Sequence, residues 1–259
     1  MTLTNPTTLP HWLQPHSMAW YKQLSELQHT YHNDWNSTLT GPNGETIFDE
    51  EVLQMIADKK VLDVGCGHGE FTKKCGFVAK EIVGFDSTDA FLQTGYVNKP
   101  DNVSFVLGNT KEGFPFGRNE FDFVYIRKGP TSAYPHLTQV TKNGATILGL
   151  HPGDDMHKEL PTLFPNLFQP TAGAPILQKI QAQLEKSQFT SYTIETINST
   201  ELLTAPIDII NLRSFGQHPS IFERLMEKDL QMITEIFENH ATKDGLAVTF
   251  SRYIVRAIV

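Results

Sequence analysis

Apolar residues along this chain recur first at helical spacing and then in short continuous runs, and the switch marks where a sheet begins. Trp20, Leu24 and Leu27 lie on one helical face, which predicts a helix over 17–33. The run Leu39-Thr40-Gly41-Pro42-Asn43-Gly44 breaks the chain. A second helix is expected over 46–58, with Ile47, Val52, Met55 and Ile56 facing inward. From Lys60 the period shortens, and Val61-Leu62-Asp63-Val64 reads as a buried strand stopped by glycines. Further strands are expected at 81–86, 103–107, 121–126 and 145–150. Helices at 70–80 and 88–97 separate the earlier ones, with Ser87 placed to cap the latter. Strands alternating with helices imply right-handed crossovers and a largely parallel sheet.

The second half changes character. Ile176, Ile180 and Leu184 mark a helix over 174–187, followed by a strand at 189–194. An amphipathic helix over 219–240 precedes a closing strand at 247–255. A hairpin would need only a few residues between those strands, so 198–245 reads as an insertion, a lid or an interaction element. The expected division is a tail and lid helix at 1–44, a core at 45–197, the insertion at 198–245 and a closing strand at 246–259.

Composition narrows the function. Of 259 residues, 39% are hydrophobic and 19% charged, ordinary for a globular protein. The net charge of −8 is spread along the chain without a basic stripe, which counts against a large nucleic-acid partner. Cys66 and Cys75 are expected as reduced thiols. The Thr- and Pro-rich start lacks a signal-peptide pattern, and no apolar run approaches the ~20 residues of a membrane span. A cytoplasmic protein, monomeric or homodimeric and without membrane contact, is expected.

The chemistry concentrates after the opening strand, at Gly65-Cys66-Gly67-His68-Gly69-Glu70. Closely spaced glycines let a ligand approach bare backbone at the carboxyl end of a strand. For a dinucleotide loop the third glycine comes one residue early, and Glu70 would repel a pyrophosphate. No Gly-Lys-Ser/Thr follows, so this is not a phosphate loop of the nucleotide-hydrolase kind. Asp63, inside an apolar strand, is expected to take a buried hydrogen bond from loop amides.

Asp63-Val64-Gly65-Cys66-Gly67-His68-Gly69 resembles the first motif of class I S-adenosylmethionine-dependent methyltransferases, in which an acid precedes G-x-G-x-G. Asp86 matches that family's ribose-binding acid, and Asn109 sits where the family contacts adenine, although many members have Asp there. Lys142-Asn143-Gly144 resembles its paired-glycine turn with one glycine remaining. The resemblance spans 45–197, and a reversed strand at 247–257 agrees with it. It implies a three-layer α/β, Rossmann-like sandwich. The sheet would be seven-stranded and mostly parallel, its last strand antiparallel, with a helical N-terminal segment and a helical insertion. It also implies S-adenosyl-L-methionine as cofactor, held by Asp63, Gly65, Cys66, Gly67, His68, Gly69, Asp86, Ser87, Asn109 and Thr110, with Arg127 and Tyr31 beside it. Tyr31 and Trp35 resemble a leader that closes over the cofactor in small-molecule members; equally, they are helix aromatics packing on the sheet.

Methyl transfer is an in-line displacement in which alignment alone contributes about 7–11 kcal/mol, so a strong base is not required. Two catalytic candidates follow the later strands. Arg127 pairs either with an anionic substrate or with a structural carboxylate, and His151 is either a general base or a satisfied loop histidine. His151, Asp154, Asp155 and His157 match no metal-ligand spacing, so no metal is expected. The Asp/Asn-Pro-Pro motif of amide-nitrogen methylation is absent after the fourth strand, and neither cysteine lies where cytosine-C5 methylation would need one. A small-molecule acceptor is the expected partner, bound among the N-terminal segment, Arg127, His151 and the insertion. Rival readings are ribosomal or transfer RNA methylation, a non-catalytic S-adenosylmethionine binder, and an oxidoreductase that Glu70 opposes.

Overall fold

The computed structural model describes residues 2–32, 34–170 and 173–259. Its helices are α1 (Met18–Gln28), α2 (Gly44–Met55), α3 (Glu70–Gly76), α4 (Asp89–Tyr96) and α5 (Tyr134–Val140). They continue with α6 (Leu160–Leu163), α7 (Ile176–Glu185), α8 (Pro206–Ser214) and α9 (Pro219–His240). The strands are β1 (Ser37–Thr40), β2 (Lys60–Val64), β3 (Glu81–Asp86) and β4 (Val103–Leu107). After them come β5 (Phe121–Arg127), β6 (Thr141–Pro152), β7 (Ser191–Leu203) and β8 (Leu246–Ile258). The chain divides into two compact units.

The unit built from Asn43–Asp154, Ala174–Ile197 and Arg252–Val259 carries the parallel sheet. Strands β4, β3, β2, β5 and β6 lie side by side in that order, all parallel. Next to β6 runs β8, antiparallel from Thr146↔Ile258 to Pro152↔Arg252, and β7 lies beyond it. Helices cover both faces, so successive residues of one strand enter different cores. Val61 packs in a cluster with Phe48, Ile82 and Phe123, whereas Leu62 and Val64 join Phe85, Val124 and Tyr134. Asp63 stands out as a carboxylate with 2% exposure in a strand whose other buried residues are apolar. Asn43 starts α2, its side-chain oxygen accepting the amides of Glu45 and Thr46, and Glu45 in the first turn suits the helix dipole.

The other unit is formed by the segment ending at Pro42 together with Asp155–Gly173 and Asn198–Ser251. Its core joins Ile209 and Ile210 of α8 to Ile221, Leu225, Ile233 and Phe237 of α9. Here β1 pairs antiparallel with the end of β7, from Ser37↔Leu203 to Thr40↔Thr200.

The Rossmann-like α/β architecture is present with eight strands instead of seven. The additional one, β1, is four residues long with three of them exposed, so it lacks the apolar run that marks a strand. The helices α5 and α8 also went unforeseen. Each is short and opens on a proline within its first two positions, which reads as loop punctuation until the first turn is seen. Helix α1 stops at Gln28 because His29 is left-handed at φ 59; Asn33, the expected end, lies outside the described residues. Helix α3 ends at Gly76, short of 80. Strand β7 continues to Leu203, well past 194. Thr88 takes the cap position of α4 that had been assigned to Ser87, and Ser87 itself is exposed. No described helix is long and apolar enough to cross a membrane.

Candidate functional site

Backbone hydrogen bonds tie the ends of neighbouring strands together and shape the loop after β2. Gly65 and Cys66 both donate to Phe85 O, at 2.7 and 3.3 Å, and Gly108 donates to Asp86 O at 2.9 Å. The loop 65–69, Asp86 and the segment after β4 therefore meet at the carboxyl edge of the parallel sheet, where open α/β sheets bind ligands.

The three loop glycines all have positive φ, at 77°, 55° and 73°, but they answer different needs. A Cβ on Gly65 would lie 2.8 Å from Gly129 Cα and 2.9 Å from Pro130 Cδ, so this glycine permits backbone contact with the turn after β5. A Cβ on Gly69 would collide with the Phe105 ring of β4. A Cβ on Gly67 would meet nothing within 4 Å. Only Gly67 presents bare backbone to open space. Gly67→Ala is accordingly expected to cost about 1–2 kcal/mol of stability through its left-handed backbone, yet to weaken ligand binding about tenfold or more. Paired denaturation and calorimetric titration would check this, and an unchanged affinity would contradict it.

Asp86, closing β3, reaches into the same loop. Its Oδ2 accepts the Gly67 amide at 2.9 Å and its Oδ1 accepts the Thr88 amide at 2.8 Å. Burial raises its pKa despite these donors. The Thr88 hydroxyl and the Ser87 amide also favour its charged form. Asn109 Oδ1 accepts the Lys111 amide at 3.0 Å, and Thr110 Oγ1 lies 2.8 Å from Ser132 Oγ, linking the end of β4 to the turn after β5. His68 Nε2 is 3.2 Å from Glu70 Oε2, and the Cys66 sulfur faces Gly67 O at 3.7 Å.

Asp63 departs from its expected contacts. Instead of loop amides, Oδ2 accepts from Thr72 Oγ1 on α3 at 2.6 Å and from Tyr125 Oη on β5 at 2.8 Å. Its Oδ1 is buried with no partner. Burial pushes the carboxyl up to about 7; the two hydroxyl donors and Arg127 oppose that rise, and Asp86 adds to it. Sequence reading missed Thr72, Tyr125 and Ser132. An acid in an apolar strand signals that donors exist nearby but does not say which neighbouring strand supplies them.

The two catalytic candidates sit in settled surroundings. The Arg127 fork is taken by Asp49, at 2.7 and 3.0 Å, with Glu45 at 3.5 Å and the Phe71 ring beneath its guanidinium. His151 lies inside β6, not in a loop after it, with 2% exposure and Nε2 2.8 Å from Tyr134 Oη. Burial holds this imidazole down at about 4. The neighbouring acids and histidine turn elsewhere: Asp154 accepts the Ile176 and Leu177 amides that begin α7, and His157 meets Glu201 within the other unit at 2.7 Å. Tyr31 also belongs to that other unit, its ring edge-on to Trp20 and Phe215. Among the described residues, no three His, Cys, Asp or Glu side chains are grouped to hold a metal.

His151 and Asp63 give opposite pH dependences. Unfolded, His151 takes a proton near 6.5; folded, it resists protonation down to about 4, so its contribution falls as pH drops through that window. Asp63 has a raised folded pKa of about 7, so its contribution grows as pH falls from there towards 3.8. In His151→Gln the first effect vanishes. The stability difference between pH 7 and pH 5 is then expected to move by about 2 kcal/mol in favour of pH 5 relative to the parent, measured by urea unfolding.

The Rossmann-like sheet thus carries an acid-led G-x-G-x-G loop after β2 and a second carboxylate closing β3, tied together at its carboxyl edge. Comparison with known proteins agrees: the family described as "Methyltransferase domain" matches residues 61–148. Residues 61–148 thus match a methyltransferase domain, and the sheet they build is Rossmann-like. Over 111 residues it is 32% identical to an uncharacterised methyltransferase of Synechocystis, covering 42% of this chain and 49% of that protein. Over 124 residues it is 27% identical to the 23S rRNA (uracil(1939)-C(5))-methyltransferase RlmD of Yersinia enterocolitica, covering 42% of this chain and 28% of that enzyme. The matched stretch spans less than half the length of either relative. A functionally unknown protein from Deinococcus radiodurans shares the fold, with a TM-score of 0.62 at 20% identity over 93% of this chain and 97% of that one.

Proposed function

We propose that this protein transfers a methyl group from S-adenosyl-L-methionine to a small-molecule acceptor. The observation that carries this reading is the bare backbone at Gly67, flanked by the buried carboxylate of Asp63 and the half-buried one of Asp86. The residues present suit that cofactor: Asp86 offers a carboxylate to ribose hydroxyls, the orphaned Asp63 Oδ1 has capacity for a cationic donor, and Asn109 lies where adenine is contacted in the family it resembles. When bound, the cofactor supplies an electrophilic methyl on a sulfonium. The protein's part is to orient and to exclude water: Gly65 and Gly129 fix the loop by backbone contact, and Asp86 anchors it through the Gly67 amide. His151 is kept neutral inside the core with Tyr134, which favours a packing role over proton transfer. Arg127, already paired with Asp49, supports the carboxyl edge of β5.

RNA methylation is the second reading, favoured by the match to the ribosomal-RNA enzyme. Attack at a pyrimidine C5 needs a thiolate to activate the ring. Both cysteines oppose that, since burial pushes Cys75 up to about 12 and Cys66 well above its ordinary value. The net charge of −8 also disfavours a polyanionic partner. Incubation with methyl-labelled cofactor, followed by separation of metabolites from RNA, tests the choice: label is expected in the metabolite fraction. Label in RNA would replace the acceptor assignment, and tight binding without transfer to any fraction would favour a non-catalytic binder.

A further inference from the structure

Tyr125 is opposite Asp63 in the parallel β2/β5 register, fully buried, and its ring is held edge-on between Phe48 and Phe71. Its hydroxyl therefore has little freedom: it donates to Asp63 Oδ2, which Thr72 Oγ1 also serves, and the Cys75 thiol lies within hydrogen-bond reach of it. Two donors converge on one oxygen while the other, Oδ1, is buried with none. A buried acceptor left without a donor is costly, a charged one more so, and this lopsided arrangement is poised for a cationic donor.

Resting on the cofactor reading above, we propose that Tyr125 is a positioning residue for cofactor binding: with Thr72 it holds Asp63 as a carboxylate whose free oxygen serves the ammonium at the amino-acid end of the cofactor, directly or through one water. A proton on Asp63 and the ammonium then compete for the same charge. The titratable and charged groups facing Asp63 are Cys75 on α3, Asp86 at the end of β3, Cys66 in the loop, and Tyr125 and Arg127 on β5. Arg127 favours the ionised form and Asp86 opposes it. With the carboxyl held up at about 7 by burial, the balance falls where one hydrogen bond changes it.

The experiment measures dissociation constants of S-adenosylhomocysteine for the parent and for Tyr125→Phe across pH, by calorimetry. Removing the hydroxyl leaves the ring packing intact and moves the Asp63 carboxyl further up, so the variant is expected to be weaker by about tenfold near pH 5.5, about fivefold near pH 7, and not at all near pH 9.5. Ionisation of the ligand itself cancels in this ratio. Methylthioadenosine, which has no amino-acid end, is expected to bind both proteins alike at every pH. A ratio that stays constant with pH means a merely structural tyrosine and overturns the proposal. So does a methylthioadenosine ratio that tracks that of S-adenosylhomocysteine. If the parent binds neither ligand at any pH, the cofactor reading itself fails, which is a different outcome from either. Thr72→Ser, keeping its hydroxyl, is expected to follow the parent, and Thr72→Val to follow Tyr125→Phe.

Discussion

Asp86→Ala is expected to weaken binding of S-adenosyl-L-methionine by about 100-fold or more, because hydrogen bonds to a charged partner contribute about 1.5–3 kcal/mol each and a ribose offers two hydroxyls. The same carboxylate also accepts the Gly67 and Thr88 amides, at 2.9 and 2.8 Å, so its loss loosens the loop and the start of α4. That second effect is expected to lower stability by about 1–2 kcal/mol, as for loss of a helix cap. Asp86→Asn, which keeps one oxygen acceptor, is expected to fall between the two. Calorimetric titration alongside thermal unfolding separates the contributions. Affinity within about threefold of the parent would remove Asp86 from the site.

Gly65→Ala is expected to bring a large loss of stability. Its φ of 77° costs an alanine about 1–2 kcal/mol. The new methyl would also press on Gly129 Cα at 2.8 Å and Pro130 Cδ at 2.9 Å, backbone and ring atoms that cannot swing aside. Overpacking of this kind costs about 1–3 kcal/mol, so the sum is about 2–5 kcal/mol, or a fall in melting temperature of roughly 5–15 °C for a chain of this size. Gly67→Ala, with the same sign of φ but open surroundings, is expected to show only the smaller backbone part. Matching falls in melting temperature for the two variants would refute the different roles assigned to these glycines.

How much of this was legible beforehand depends on how local the signal is. The strands β2 to β5 and the helix α9 announce themselves because their apolar period is set by neighbours in sequence. The acid-led glycine loop and Asp86 were legible for the same reason, since turn geometry and strand ends are local. Tyr125 and Thr72 were not, because what makes them matter is a register between β2 and β5 and a helix lying over it. Arg127 and His151 show the converse. Both residue types suggest chemistry, but Asp49, 78 positions earlier, and Tyr134, 17 positions earlier, occupy the groups that would perform it. Strand β1 escaped because its partner, the end of β7, is distant and its own residues are mostly exposed.

The ring of Phe105 pressed against Gly69 has a bearing on how relatives of this protein are recognised. An aromatic on the third parallel strand forbids a side chain at the last glycine of the motif, so the two positions are expected to vary as a pair. Descendants with a smaller residue at the Phe105 position escape the clash, and losing the glycine at 69 then costs them only the left-handed backbone, about 1–2 kcal/mol. A search pattern that insists on all three glycines would overlook them, whereas one that scores the pair jointly would find them.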